Sequence, residues 1–171
     1  FSPRAMLKKQ VGRLKDLGFV AKTATELEFF LFEKSMEEIT KSGFRDLAPI
    51  SAYNEDYNIL QTTKEEGVMR PIRNHLFNAG IPIENSKGEA ETGQEELNIR
   101  YAEAMDCAEY HTIAKHGIKE IAWQQGNAVT FLPKWHHERV GSSSHIHQSL
   151  WTLDGQSAFF DADSEHGMSD L

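Results

Sequence analysis

Two glutamates stand two residues apart inside an apolar run, ATELEFFLFE, at residues 24–33. In an extended chain residues i and i+2 share a face, so Glu26 and Glu28 point one way while Leu27, Phe29 and Leu31 point the other. Phe30 and Phe32 continue the glutamate face, and burial of both faces marks an interior strand. Two ionised carboxylates side by side in such a place are costly unless a cation or hydrogen-bond donors neutralise them. The competing reading sets both at a solvated strand end. A second group lies in GEAETGQEE, residues 88–96, where Glu89, Glu91, Glu95 and Glu96 crowd around Gly93. Carboxylates so close repel unless a cation lies among them or they face water; Glu91 and Glu95 are read as facing water. The third group is GSSSHIHQSLW, residues 141–151. There His145 and His147 can project two imidazoles into one cavity, and Gly141 with three serines offers N–H groups and hydroxyls to an anion. His136 and His137, which alternate faces after Pro133, are assigned to a surface loop.

A donor set of carboxylates with one imidazole favours Mg²⁺ or Mn²⁺ over zinc. Mg²⁺ in turn implies a phosphate-bearing substrate, because it keeps few protein ligands and shares its other positions with phosphate oxygens. No Gly-x-x-x-x-Gly-Lys-Ser/Thr stretch is present to cradle a nucleotide.

These groups need elements to position them. Ser2-Pro3 reads as a helix start, with Leu7, Val11, Leu14 and Leu17 as its stripe and Gly18 as its stop. The two-glutamate strand follows over about 19–33. Residues 34–58 are expected to be irregular with a short helical turn. Thr63 with Glu66 reads as a capping box opening a helix that runs to Gly80, with Pro71 kinking it or marking a later start. Residues 81–84, 96–101, 129–132 and 144–151 read as strands, and 102–116 as a helix ended by Gly117. In two of these strands Glu96, Asn98 and Arg100, and then His145, His147, Ser149 and Trp151, share a face. A polar layer in front and an apolar layer behind is what a sheet curved around a ligand cavity requires. The class is α/β or α+β.

The 171 residues suffice for one sizeable core and a single domain. Hydrophobic content of 39% against 26% charged excludes a disordered chain. A net charge of −8 with no Lys/Arg cluster excludes nucleic acid as a partner. The single cysteine, Cys107, leaves no internal disulfide and fits a reducing cytoplasm, and no apolar run spans a membrane. The chain opens on Phe1 without a signal-peptide pattern and is expected to be an excised part of something larger.

Taken in order, ELEFFLF, GEAETGQEE and GSSSHIHQSL resemble the first half of the glutamine synthetase catalytic domain, and the first helix and NAVTFLPK (127–134) fit the same frame. The resemblance covers about residues 3–155. It implies an α+β fold: a partial catalytic barrel, a curved sheet with helices on its outer face. It further implies an ATP-dependent carboxylate–amine ligase, which joins glutamate to ammonia or an amine through γ-glutamyl phosphate, with Mg²⁺ or Mn²⁺ as cations. By motif, Glu28, Glu89 and Glu96 resemble ligands of the cation near glutamate, and Glu26 and His145 ligands of the cation on the ATP phosphates. His147 and Ser149 match nucleotide-phosphate contacts, and Gly141 a backbone position lining the glutamate pocket.

Val140-Gly141-Ser142-Ser143-Ser144-His145 stands where the family commonly has Asn-Gly-Ser-Gly-Met-His, so Val140 replaces an amide that orients the amino acid. The form is similar to the type III or γ-glutamyl-amine ligase branch, with larger amines as acceptors. The family's N-terminal β-grasp domain and C-terminal half, with its further glutamate and arginines, have no counterpart here; the tail DADSEHGMSDL holds no arginine. The resemblance therefore implies about half a site, inactive alone, within a homo-oligomeric parent. Two other readings compete: a non-catalytic module binding cation or nucleotide, and an unrelated carboxylate-rich metallohydrolase.

Overall fold

The structure, a computed structural model, describes residues 2–171. Its spine is one long strand, β1 (Phe19–Phe32). On one edge β1 pairs antiparallel with β3 (Gln94–Glu103), which pairs in turn with β2 (Ile83–Gly88). On the other edge it pairs first with β5 (Ser144–Thr152) and then, nearer its end, with β4 (Ala128–Thr130). β1 is thus the central strand of the sheet, flanked on both edges over most of its length, as its two-sided apolar pattern requires.

The rear face of the sheet carries the core. Leu27, Phe29 and Leu31 of β1 and Leu97 and Ile99 of β3 pack on helices α4 (Glu66–Asn78) and α5 (Ala104–Gln124). On the front face Phe30 and Phe32 form a smaller cluster with Ile39, Ala128 and Trp135, so the glutamate face does turn apolar along the strand. Ile39 belongs to α2 (Met36–Lys41), the helical turn expected within 34–58.

Local signals hold at the chain start. Ser2 accepts from Ala5 N–H and Pro3 opens α1 (Pro3–Asp16), after which Gly18 adopts φ of 90°. Yet no residue of α1 is buried; its stripe lines an open groove of about 790 Å³ against α5, β1 and β5.

The Thr63 cap and the Gly117 stop fail, and the later helix start at Pro71 is not adopted. Thr63 caps nothing: α3 (Ile59–Lys64) already starts at Asn58, and the Thr63 hydroxyl donates to Ile59 O at 2.7 Å inside it. Pro71 lies within α4 and does not delay its start. Gly117 does not end a helix, because α5 runs on to Gln124. A Cβ at Gly117 would meet Leu76 Cδ2 at 2.7 Å, so the glycine lets α5 approach α4. The strand expected at 81–84 starts two residues later and extends to Gly88, completing the sheet edge beside β3.

Leu97 is fully buried between sheet and helices, whereas Ile146 on β5 is 70% exposed. Leu97→Ala is expected to cost about 2–5 kcal/mol in urea unfolding, and Ile146→Ala less than about 0.5 kcal/mol; equal costs would contradict this layering.

Candidate metal centre

Register brings the acidic side chains together. Glu28 lies opposite Glu96 of β3, while Glu26 lies between Asn98 of β3 and His145 of β5. Directly opposed residues share a face, so three strands contribute to one polar patch. Glu89 joins it from the turn between β2 and β3, which is closed by Glu89 N–H donating to Gln94 O at 2.7 Å.

Two ligand-like groups result. Glu28, Glu89 and Glu96 present oxygens that all lie within 4.8 Å of one another, and Glu26, Glu96 and His145 do the same. Glu96 belongs to both. The donors are oxygens with one imidazole nitrogen, a set suited to Mg²⁺ or Mn²⁺. Glu28 and Glu96 are buried, whereas His145 and His147 stand open on the front.

Neighbours hold these groups in place. Glu28 Oε2 accepts from Ser143 N–H at 2.9 Å and from Gln94 Nε2 at 3.1 Å, and the Ser143 hydroxyl donates to Oε1. The same Gln94 amide donates to Gly141 O at 2.9 Å, tying the 141–143 turn to Glu28. Gly141 itself could carry no side chain, because a Cβ would lie 2.7 Å from Pro133 O.

Glu26 Oε2 is 3.0 Å from His145 Nδ1 and Oε1 is 2.9 Å from His147 Nε2. Partial burial raises the Glu26 pKa, but hydrogen bonds and charge from His147 and then His145 outweigh it, leaving a net lowering. Glu96 moves the other way. Burial pushes it up, against the opposing pull of the Asn98 amide (3.0 Å) and Lys87, and the charges of Glu89 and Glu26 add to the rise. A buried carboxylate grouped with three others lacks positive charge.

Lys87, at the end of β2, supplies some of it. Its ammonium bonds Glu89 and sits 3.3 Å from Glu96 Oε1, and despite burial these two carboxylates hold its pKa above the usual lysine value.

His147 lies opposite Ala24 and Ser149 opposite Lys22, so both continue the patch along β5. Ser149 Oγ accepts from Trp151 Nε1 at 2.9 Å and is not in the carboxylate cluster. Lys22 places its ammonium 3.8 Å from the Trp151 ring centroid, adding a cation beside Ser149.

Lys22, Lys87 and Gln94 escaped the sequence reading, since no motif marks a residue that acts only through cross-strand register, whereas Ser143 is one of the three serines expected to offer N–H and hydroxyl to an anion, here the Glu28 carboxylate. Two acidic assignments need correcting. Glu91 is only part-exposed, pairing with Arg139 at 3.0 Å and accepting from Val140 N–H. Glu95, expected in water, is 1% exposed, because it lies on β3 and its side chain turns to the rear face. His136 and His137 do lie in a loop outside the strands, stacked on each other.

An open antiparallel sheet carrying paired carboxylates and an HxH strand defines a class, and comparison with known proteins names it. The family model for the glutamine synthetase catalytic domain matches residues 1–171, and the chain belongs to that family. Among curated relatives, the γ-glutamylethanolamide synthetase of Streptomyces coelicolor is 41% identical over 99% of this chain and 36% of its own length. Glutamate–isopropylamine ligase of a Pseudomonas species is 33% identical over 99% and 37%. The solved structure of ligand-free GmaS superposes with a TM-score of 0.84 at 27% identity, over 98% of this chain and 38% of that one. The chain therefore spans little more than a third of the length of the relatives it matches. Among the described residues no helix is long and apolar enough to cross a membrane.

Gln94→Leu is expected to destabilise by about 1–3 kcal/mol in chemical denaturation, since it removes donors from two partly buried acceptors, Glu28 and Gly141 O. An unchanged midpoint would show that the bridge contributes nothing.

Proposed function

We propose that the chain is the cation-binding part of an ATP-dependent glutamate–amine ligase, in which Glu28, Glu89 and Glu96 hold one divalent cation and Glu26, Glu96 and His145 a second. The observation that carries this is the pair of oxygen-rich groups meeting at Glu96. The donor set fits Mg²⁺ or Mn²⁺, and Glu96, raised in pKa by burial, gains most from a cation. When bound, the cations supply charge that screens phosphate from an approaching carboxylate.

The chain's own residues do the rest. Ser143 and Gln94 orient Glu28, and His147 orients Glu26. Along β5, His147 and Ser149 with the neighbouring Lys22 form the strip where ATP phosphates would lie. The Gly141 turn would border the glutamate substrate. Val140 is 43% exposed beside that turn. An apolar residue there, with two relatives named for ethanolamide and isopropylamine chemistry, supports an amine larger than ammonia as acceptor. Homo-oligomeric assembly and the cytoplasm as its place remain part of the same proposal.

Mn²⁺ titration of the purified chain tests the site. Glu96→Gln, which strikes both groups, should weaken binding by more than Glu28→Gln or His145→Ala, and each single loss should cost at least about tenfold. Equal binding by wild type and Glu28→Gln would discard the assignment. The chain alone is expected to form no γ-glutamyl hydroxamate from ATP, glutamate and hydroxylamine. Phosphoryl transfer needs several cationic groups on the phosphates, and residues 148–171 contain no arginine or lysine. Robust product would show that these side chains suffice.

A further inference from the structure

Behind β3, on the face opposite Glu96, a second set of carboxylates meets. Glu95 of β3, Glu65 at the junction of α3 and α4, and Glu55 from the irregular segment before α3 are 1%, 3% and 0% exposed. Oxygens of all three lie within 4.8 Å of one another. Among the described residues no lysine, arginine or histidine forms an ion pair with any of them; every such pair lies elsewhere. Glu55 Oε1 accepts from Gly93 N–H at 2.7 Å and Glu65 Oε1 from Gln61 Nε2 at 3.1 Å. Glu55 Oε2, Glu65 Oε2 and Glu95 Oε1 are buried with no partner at all.

Three carboxylates in a dry pocket need either protons or a cation. A proton shared by two of them leaves the third unmatched, and the Gly93 N–H bond favours the ionised form of Glu55. Without a cation, burial and then Glu65 push Glu55 up to about 8. A bound cation would relieve all three. The donors are oxygens only, which selects Mg²⁺, Mn²⁺ or Ca²⁺.

We propose that Glu55, Glu65 and Glu95 form a further divalent-cation site, separate from the front patch, that pins the segment before α3 to the sheet. Its place gives it a structural task. Glu55 and Ser51 both hold Gly93 N–H, within the turn that carries Glu89 and leads into Glu96 on β3. Glu55 is close-packed on the end of β2 here, since a Cβ at Gly88 would meet Glu55 Cβ at 2.5 Å.

The test uses the chain with its front patch disabled by Glu28→Gln/Glu96→Gln, probed with Mn²⁺ and Ca²⁺ separately. Metal analysis after equilibrium dialysis should find one equivalent retained, and the same ion should raise Tm. Adding Glu65→Gln, or independently Glu95→Gln, should abolish both effects while far-UV circular dichroism shows the fold intact. If the front-disabled chain binds no ion, or keeps its ion and its Tm rise after Glu65→Gln and Glu95→Gln, the proposal falls. An infrared C=O band of protonated carboxyls that is lost in Glu65→Gln but persists in saturating Mn²⁺ or Ca²⁺ would likewise overturn it in favour of shared protons. The front reading stands or falls separately, on Glu28→Gln in an otherwise wild-type chain.

Discussion

Like charges placed directly across a β-ladder repel, and this protein puts Glu28 opposite Glu96 in the middle of its sheet. The register cannot slip to relieve them. A shift of one residue would carry Leu27, Phe29, Leu97 and Ile99 out of the rear core and onto the polar face. The hydrophobic layer against α4 and α5 thus holds the carboxylates together, and the chain answers their repulsion locally. Ser143, Gln94 and Asn98 donate to them, Lys87 adds an ammonium, and His145 and His147 flank Glu26. A patch with this much acceptor capacity and so few positive groups suits divalent cations.

The two faces of β3 give the same chemistry different settings. Glu96 turns to the front, where Lys87 and the histidines lie within reach; Glu95, one residue earlier, turns to the rear and finds only Glu55, Glu65 and the Gly93 amide through Glu55. Alternation alone separates them. Because both belong to the turn-and-strand segment closed by Gly93, whose φ of 72° suits a glycine, the geometry of one side depends on the order of the other. Gly93 is packed against Pro49 as well, so the irregular segment, the turn and the strand behave as one mechanical unit.

Much of the front patch was legible because it repeats one simple pattern. Two residues of the same chemistry spaced by two, on a strand, share a face whatever surrounds them; Glu26 with Glu28 and His145 with His147 follow from that rule. The helix start at Ser2-Pro3 and the apolar turn of the glutamate face at Phe30 and Phe32 were equally local. The misses share a cause of the opposite kind. Gly117 reads as a stop signal until Leu76 is known to press on it, Thr63 reads as a cap until Asn58 has already started the helix, and Glu95 reads as solvated until α3 and α4 cover it.

What the sequence determined by itself was face and period: which side chains travel together on a strand, and the family to which three ordered motifs point. What only the tertiary structure decided was the meeting of segments far apart in the chain. Glu28 and Ser143, or Glu55 and Gly93, become partners through antiparallel register and helix packing. Those depend on the burial of many apolar side chains at once, a cooperative outcome that no short stretch of residues encodes.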